Sequence, residues 1–151
     1  MKDKPRMVDI SGKPPIFREA VAEGFLRLKP ETLRLVREGL VEKGDPLSVA
    51  SVMATLAAKE TPKIIALCHL IPITSVKVDY DFPDDSTVRV SAVVKTQAQT
   101  GVEMEALTAV AVALLNIWDM VKAYEKDEEG QYPQTLIKSI RVVRKLKEDS
   151  G

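Results

Sequence analysis

The sequence predicts a ferredoxin-like α+β fold, in which a four-stranded antiparallel sheet packs against helices and one extra helix is added. The first observation is that four segments alternate apolar and polar residues with a period of two, as strands do. The second is that the segments between them carry helical spacing and helix start and stop signals. The third is the order: strand, two helices, strand, strand, helix, strand. Without one helix, this is the β-α-β-β-α-β order of a split βαβ fold.

Length and composition indicate one globular domain. Of the 151 residues, 29% are charged and 45% are hydrophobic, which is typical of soluble proteins. Three prolines and Gly12 interrupt residues 1–15, so we expect an N-terminal arm there and a single ferredoxin-like domain over residues 16–151. The formal net charge is zero, which argues against a nucleic-acid partner.

The sequence also predicts a cytoplasmic protein without membrane contact. The single cysteine, Cys68, cannot form an internal disulfide and fits a reducing compartment. The longest uncharged runs, residues 64–76 and 106–118, have 13 residues each and are too short to span a bilayer. The opening MKDKPRMVD lacks a charged-then-apolar signal.

The first half of the chain predicts one strand and two helices. Residues 19–28 alternate as a half-buried strand, and a short helix should begin at Pro30 and stop at Gly39. A second helix has Asp45 as its N-cap and Pro46 as its first residue, and it should end before Pro62. The spacing i, i+3, i+4, i+7 predicts that one apolar stripe of this helix is buried. That stripe consists of Val49, Val52, Met53 and Leu56.

The second half predicts a hairpin, a long helix and a last strand. Alternating residues 76–82 and 88–94 flank a Pro-Asp-Asp-Ser turn, which predicts the hairpin. Residues 136–143 form the last, poorly patterned strand, followed by a charged tail over residues 144–151.

The long helix is expected over residues 100–126, with Thr100 as N-cap and Glu103 completing a capping box. Its middle is apolar and rich in alanine, which indicates burial against a sheet, a partner or both. Glu105 near one end and Asp119 near the other are about 21 Å apart along the helix axis. Both ends of one helix cannot hold one small molecule, so a shared site would require a second copy of the chain.

Each charged candidate also has a purely structural interpretation. Glu103 suits any helix start, and Asp119 with Lys122 could be a surface ion pair. Lys43 precedes a helix N-terminus, which favours an anion such as phosphate. His69 could be a hydrogen-bonded core histidine or a phosphate or acid–base contact.

Several other chemistries have no support in the sequence. A single histidine cannot build a multi-histidine metal site. A Cys68–His69 nucleophile dyad is disfavoured because side chains of adjacent residues usually diverge. There is also no P-loop, GxGxxG or RNP-type motif.

Five motifs together resemble the molybdenum cofactor biosynthesis protein C family, the cyclic pyranopterin monophosphate synthases. The opening MVDISGK is similar to that family's start, and the resemblance extends from about Met7 to Lys138. The motifs are KGD at 43–45, AAKxT at 57–61, LCH at 67–69, TGVEMEALTA at 100–109 and DMVKA at 119–123.

The resemblance implies an enzyme that acts on a GTP-derived nucleotide cyclised between ribose C3′ and base C8. The product would be a tricyclic pyranopterin with a cyclic phosphate, and pyrophosphate would be released without redox change. The resemblance implies neither metal nor organic cofactor. It further implies a homohexamer built as a trimer of dimers, with ferredoxin-like catalytic subunits and active sites between them.

Site residues follow from the same resemblance, motif by motif. Lys43 and Lys122 match the family's catalytic lysines, and Asp119 matches their partner carboxylate. The resemblance places substrate contacts at Arg18, His69, Glu103, Met104, Glu105 and Lys138. A lysine whose pKa is lowered by burial or by neighbouring cations could transfer the required protons.

Two departures from the family pattern concern the site. LCHLI replaces the bacterial LCHPL beside His69, and SIRVVRKLK replaces a Gly- and Lys-rich tail. A non-catalytic nucleotide-binding oligomer stays open as an alternative function. An RNA-binding ferredoxin-like domain is disfavoured, because the charge is neutral and the strands carry few aromatic residues.

Overall fold

The computed structural model describes residues 4–149. Seven elements follow in the predicted order, together with a single 3-10 turn at Thr61–Lys63. They are β1 (Ile16–Arg27), α1 (Pro30–Glu38), α2 (Pro46–Glu60), β2 (Ile73–Asp84), β3 (Thr87–Ala98), α3 (Glu103–Glu125) and β4 (Leu136–Glu148).

The strands form one sheet in the order β2-β3-β1-β4, and every neighbouring pair is antiparallel. This arrangement confirms the ferredoxin-like α+β prediction. The alternating strand pattern places small and branched apolar side chains of β1 and β3 on the face that the helices cover. Residues on that face include Ala20, Ala22, Leu26, Val88, Val90, Ala92 and Val94.

Helix α3 lies at the centre of the core. Val110, Leu114 and Ile117 are fully buried. A Cβ atom at Gly24 on β1 would lie 2.8 Å from side-chain carbons of both Val110 and Leu114, so a glycine permits the close approach of α3 to the sheet. By length and apolarity alone α3 could cross a membrane, but it packs on the sheet and on α2 as a core helix does.

The predicted buried stripe of α2 is wrong. Val52 is 60% exposed and Leu56 is 44% exposed, and Val49 and Met53 are exposed as well. The buried residues of α2 after Pro46 are instead alanines: Ala50, Ala54, Ala57 and Ala58. Because α3 also contributes buried alanines, the two backbones can approach closely, and the larger side chains of α2 turn outward. We call Val49, Val52, Met53 and Leu56 the α2 apolar surface.

The predicted capping box of α3 is also wrong. The helix begins at Glu103, its N-cap is Val102, and no side chain caps it. The Glu103 carboxylate folds back over Gly101, where an added Cβ would lie 2.3 Å from Oε1. It also pairs with Lys145 at 3.2 Å. The Glu103 carboxylate therefore pairs with Lys145 and forms no capping box with Thr100.

Strand β4 is longer than predicted and includes most of the expected charged tail. Arg141 pairs with Glu23 at 2.8 Å and Arg144 pairs with Glu19 at 2.7 Å, both across the β1–β4 ladder. Cross-strand ion pairs therefore replace an apolar pattern at this sheet edge. The left-handed conformation of Ser139 (φ 56°) lies beside the shift in register and marks a bulge. Residues 150–151 of the expected tail lie outside the described residues.

Residues 4–15 contain neither helix nor strand. Residues 1–3 of the expected arm lie outside the described residues. The division into an arm over 1–15 and a domain over 16–151 stays a prediction.

Candidate functional site

Three charged residues meet near the C-terminal end of α3, and we call them the lysine cluster. Lys43 lies in the loop before α2, while Asp119 and Lys122 lie one turn apart on α3. Lys122 Nζ is 3.0 Å from Asp119 Oδ1. Lys43 Nζ is 3.9 Å from Oδ2 of the same carboxylate and donates to the Asp119 backbone carbonyl at 3.3 Å. One carboxylate thus holds two ammonium groups at the surface.

The charges in the lysine cluster stabilise one another. The hydrogen bond from Lys122, together with the charges of Lys122 and Lys43, lowers the pKa of Asp119. The same hydrogen bond and the charge of Asp119 raise the pKa of Lys122. The expectation that burial or nearby cations lower a lysine pKa is therefore wrong for Lys122 in this chain, because its nearest charged group is a carboxylate. Lys122 is a protonated group at neutral pH.

A second candidate region lies at the N-terminal end of α3, and we call it the acidic pocket. It is a cavity of about 320 Å³. Its lining includes the predicted residues His69, Glu103, Met104 and Glu105, together with Cys68, Thr100 and Gly101. The LCH and VEME motifs therefore meet in space, although more than thirty residues separate them.

Glu105 is the most unusual residue of the acidic pocket. Its side chain is 1% exposed, and its Oε1 has no hydrogen-bond partner among residues 4–149. The Cys68 thiol donates to Oε2 at 3.5 Å. Burial raises the pKa of Glu105, because an ionised carboxylate loses its hydration there. Because Oε1 is buried without a partner among the described residues, this carboxyl group is suited to a ligand that places a hydrogen-bond donor there.

Cys68 has the opposite character to a nucleophile. Burial, followed by the negative charge of Glu105, raises the pKa of its thiol to about 11. The thiol therefore stays protonated at neutral pH, whereas a nucleophilic cysteine requires a lowered pKa. Its role here is to donate a hydrogen bond to Glu105. No local sequence pattern predicts this contact, although both residues belong to family motifs.

His69 is half-buried and lines the acidic pocket. Its Nε2 is 2.6 Å from the backbone carbonyl oxygen of Val8 in the N-terminal segment. The interpretation as a core histidine is wrong, because the ring lies at the pocket and is held by residues 4–15. The opening MVDISGK motif thus reaches the same region as LCH.

Arg18 lies beside the acidic pocket. Its Nε donates to the Ala98 carbonyl at 3.1 Å and its Nη2 to the Gln99 carbonyl at 3.4 Å, immediately before Thr100. Lys145 reaches Glu103 from β4, although sequence reasoning assigned no contact to the tail.

Lys138 belongs to neither region. It lies on β4 opposite Phe25, in a cavity of about 290 Å³ that Asp84 and Ser139 also line. Within one chain, the structure therefore groups the predicted residues into the lysine cluster, the acidic pocket and an isolated Lys138. Fourteen residues of α3 separate Glu105 from Asp119, or about 21 Å at 1.5 Å per residue.

Among residues 4–149, no group of three or more His, Cys, Asp or Glu side chains is placed to hold a metal ion. The candidate site is instead made of cationic amines, a carboxylate, an imidazole and a buried carboxyl group. The fold and these groups define a ferredoxin-like α+β protein with two separated groups of polar and charged side chains at the two ends of one core helix.

Comparison with known proteins identifies the family. The sequence model described as "MoaC family" matches residues 7–148. This chain belongs to the MoaC family.

Curated relatives match along nearly their whole length. A probable cyclic pyranopterin monophosphate synthase of Methanoregula boonei is 57% identical over 142 residues, covering 94% of this chain and 91% of the relative. A protein with the same name from Aeropyrum pernix is 57% identical, and the match covers 93% of this chain and 96% of the relative. Another, from Pyrococcus abyssi, is 53% identical, and the match covers 94% of this chain and 89% of the relative.

Proposed function

We propose that this chain is a cyclic pyranopterin monophosphate synthase of molybdenum cofactor biosynthesis. It converts (8S)-3′,8-cyclo-7,8-dihydroguanosine 5′-triphosphate to cyclic pyranopterin monophosphate and releases pyrophosphate, which is a lyase-type reaction. Support comes from membership of the MoaC family and from the names of the relatives. The observation that carries the proposal is the convergence of Lys43, Asp119 and Lys122 from two distant parts of the chain.

The lysine cluster supplies the positive charge that a triphosphate requires. Lys43 and Lys122 present two ammonium groups on either side of one carboxylate, and each ammonium has three donors. Charge-assisted hydrogen bonds to phosphate oxygens are stronger than neutral ones. Arg18 and Lys138 are proposed as further phosphate contacts. Neither residue contacts the lysine cluster within the described chain, so we propose that they reach the same ligand from neighbouring copies.

Proton transfer follows from the protonation states. Because Asp119 raises the pKa of Lys122, Lys122 holds its proton at neutral pH and acts as a proton donor. Asp119 stays ionised and orients both lysines. Lys43 is the second acid–base group of the same site. This arrangement lets protons move while the purine-derived ring opens and the pterin ring closes.

The acidic pocket is proposed to hold the base-derived part of the substrate. A guanine-derived ring edge presents N–H donors next to a carbonyl acceptor. The buried carboxyl group of Glu105 can accept from such N–H donors, and its Oε1 lacks a hydrogen-bond partner among residues 4–149. Glu103 and Met104 complete the wall.

One chain does not bring the two regions together, so we propose that neighbouring copies do. The lysine cluster of one copy would then face the acidic pocket of another, in a homohexamer built as a trimer of dimers. The α2 apolar surface supports association, because four exposed apolar side chains lie on one helix face. We further propose a cytoplasmic enzyme that requires no metal or organic cofactor and binds neither nucleic acid nor membrane.

The decisive assay supplies the purified chain with the C3′–C8 cyclised nucleotide and measures both pyrophosphate and pterin. Lys43→Ala or Lys122→Ala should lower kcat about 100- to 10,000-fold while assembly is retained. Lys126→Ala is the matched control, because Lys126 follows the same helix and lies 6.0 Å from the Tyr132 ring, outside the lysine cluster. Nucleotide binding without any product would instead favour a non-catalytic binding module.

A further inference from the structure

The N-terminal segment makes one specific contact with the acidic pocket. Val8 and His69 are 61 residues apart, and their carbonyl oxygen and Nε2 atoms are 2.6 Å apart. The segment is not a loose tail at this point. The Ser11 backbone N–H donates to Asp9 Oδ1 at 2.9 Å, and Lys13 N–H donates to the Ile10 carbonyl at 3.0 Å. Two consecutive turns therefore order the residues that directly follow Val8.

This contact determines which ring nitrogen of His69 carries hydrogen. A backbone carbonyl can only accept a hydrogen bond, so Nε2 must be the donor. In a neutral imidazole the other nitrogen, Nδ1, is then an acceptor.

The chemistry of phosphate makes this assignment informative. A phosphate oxygen at neutral pH accepts hydrogen bonds, and so does a bare Nδ1. The two atoms therefore repel each other. A hydroxyl or ring N–H group of a nucleotide can instead donate to Nδ1. The contact with Val8 thus directs His69 away from phosphate and toward the sugar or base.

We propose that the Val8–Asp9 segment is a positioning element of the acidic pocket, which fixes His69 as its Nε2–H tautomer and leaves Nδ1 to accept from a hydroxyl or N–H of the substrate. This inference rests on the proposed function for the identity of the substrate. It replaces the phosphate contact that the sequence analysis considered for His69. Val8 acts through His69 and does not itself touch substrate.

The test uses the fact that His69 is the single histidine of the chain. Ring-labelled ¹⁵N-histidine gives one pair of resonances, which reports the tautomer directly. The full chain should show hydrogen on Nε2 and a bare Nδ1 at neutral pH. A variant that begins at Ile10 should show a mixture of tautomers, whereas the matched control that begins at Met7 should match the full chain. Circular dichroism verifies that each variant is folded.

Substrate adds a second measurement. Addition of the cyclised nucleotide should shift the Nδ1 resonance, and inorganic triphosphate should leave it unchanged. The kcat/KM of the variant that begins at Ile10 should fall about three- to tenfold, which is the usual effect of losing one hydrogen bond. Hydrogen on Nδ1 in the full chain, or the same spectrum in all three proteins, would overturn the inference. The tautomer is measured without turnover, so failure of the proposed reaction is distinguishable from failure of the positioning role.

Discussion

Lys43 and Asp119 are 76 residues apart in sequence, yet the Lys43 ammonium group donates to the Asp119 backbone carbonyl and lies 3.9 Å from its carboxylate. The loop before α2 and the last turns of α3 therefore build one cluster. Because Lys122 binds the other oxygen of the same carboxylate, Asp119 controls the position and charge of both lysines. The lysine cluster depends on this one side chain.

Replacement of Asp119 by Asn should change the pH dependence of the reaction. The carboxylate raises the pKa of Lys122, so its removal should lower that pKa. If Lys122 donates a proton, activity is lost as the pH rises through its pKa, and the alkaline limb of kcat should move to lower pH in Asp119→Asn. A pH profile from 6 to 11 measures this shift. An unmoved alkaline limb in a folded variant would contradict the role of Lys122.

Replacement of Glu105 by Gln should change how stability depends on pH. Burial raises the pKa of Glu105 above its ordinary 4.5, so the folded state binds the proton more tightly than the unfolded chain. The stability that this protonation contributes is present below pH 4.5 and is lost as the pH rises through the folded-state pKa. Glu105→Gln should remove this loss.

Urea unfolding of the wild type and of Glu105→Gln from pH 4 to pH 8 measures the difference. As the pH rises, the free energy of unfolding of the variant should increase relative to that of the wild type. Glu129→Gln, at an exposed loop position, serves as the control and should show no such gain. The same Glu105→Gln variant should lose activity, because it replaces one acceptor oxygen by an amide.

The Cys68 thiol should react slowly with alkylating agents. A pKa of about 11 in place of 9.0 lowers the thiolate fraction at pH 8 about 100-fold. Iodoacetamide labelling followed by mass spectrometry gives the rate for the folded chain. In Glu105→Gln, loss of the carboxylate charge should raise this rate severalfold. Labelling of the wild type as fast as free cysteine would show that the pKa of the thiol is not raised, and an unchanged rate in Glu105→Gln would show that the Glu105 charge does not contribute.

The α2 apolar surface should be required for assembly. Val52→Asp combined with Leu56→Asp places two charges on this exposed face and leaves the buried alanines untouched. The sedimentation mass should fall from several multiples of 16.7 kDa toward that value, while the circular dichroism spectrum is retained. Lys77→Asp is the control, because it adds an aspartate to exposed β2 outside the helical surface. An unchanged mass in the double variant would exclude this surface from the interface.

Much of the fold could be predicted from local signals. Asp45 with Pro46, Pro30 with Gly39 and the alternating strands each depend on neighbouring residues, and the structure has helices and strands where they indicate. The face of α2 could not be predicted in this way. Val49 and Val52 are more hydrophobic than Ala50 and Ala54, but the close approach of α3 selects the smaller side chains. Packing between helices, and not hydrophobicity alone, decided the orientation.

The sequence was sufficient to predict the individual site residues, but not which of them contact one another. The charged groups of VEME and DMVKA stand out on an apolar helix, and the family motifs single them out. The Cys68–Glu105 and Val8–His69 contacts join segments that no local spacing relates. The extension of β4 was missed because its register depends on ion pairs to Glu19 and Glu23 in another strand.

The central claim is that each reaction site combines the lysine cluster of one copy with the acidic pocket of another. Co-expression of Lys122→Ala with Glu105→Gln, each inactive alone, tests it most directly. Random pairing of two such chains leaves about one quarter of the composite sites intact, so mixed oligomers should recover about a quarter of wild-type turnover. Mixed oligomers that recover no activity, although mass spectrometry shows both chains in them, would contradict the claim.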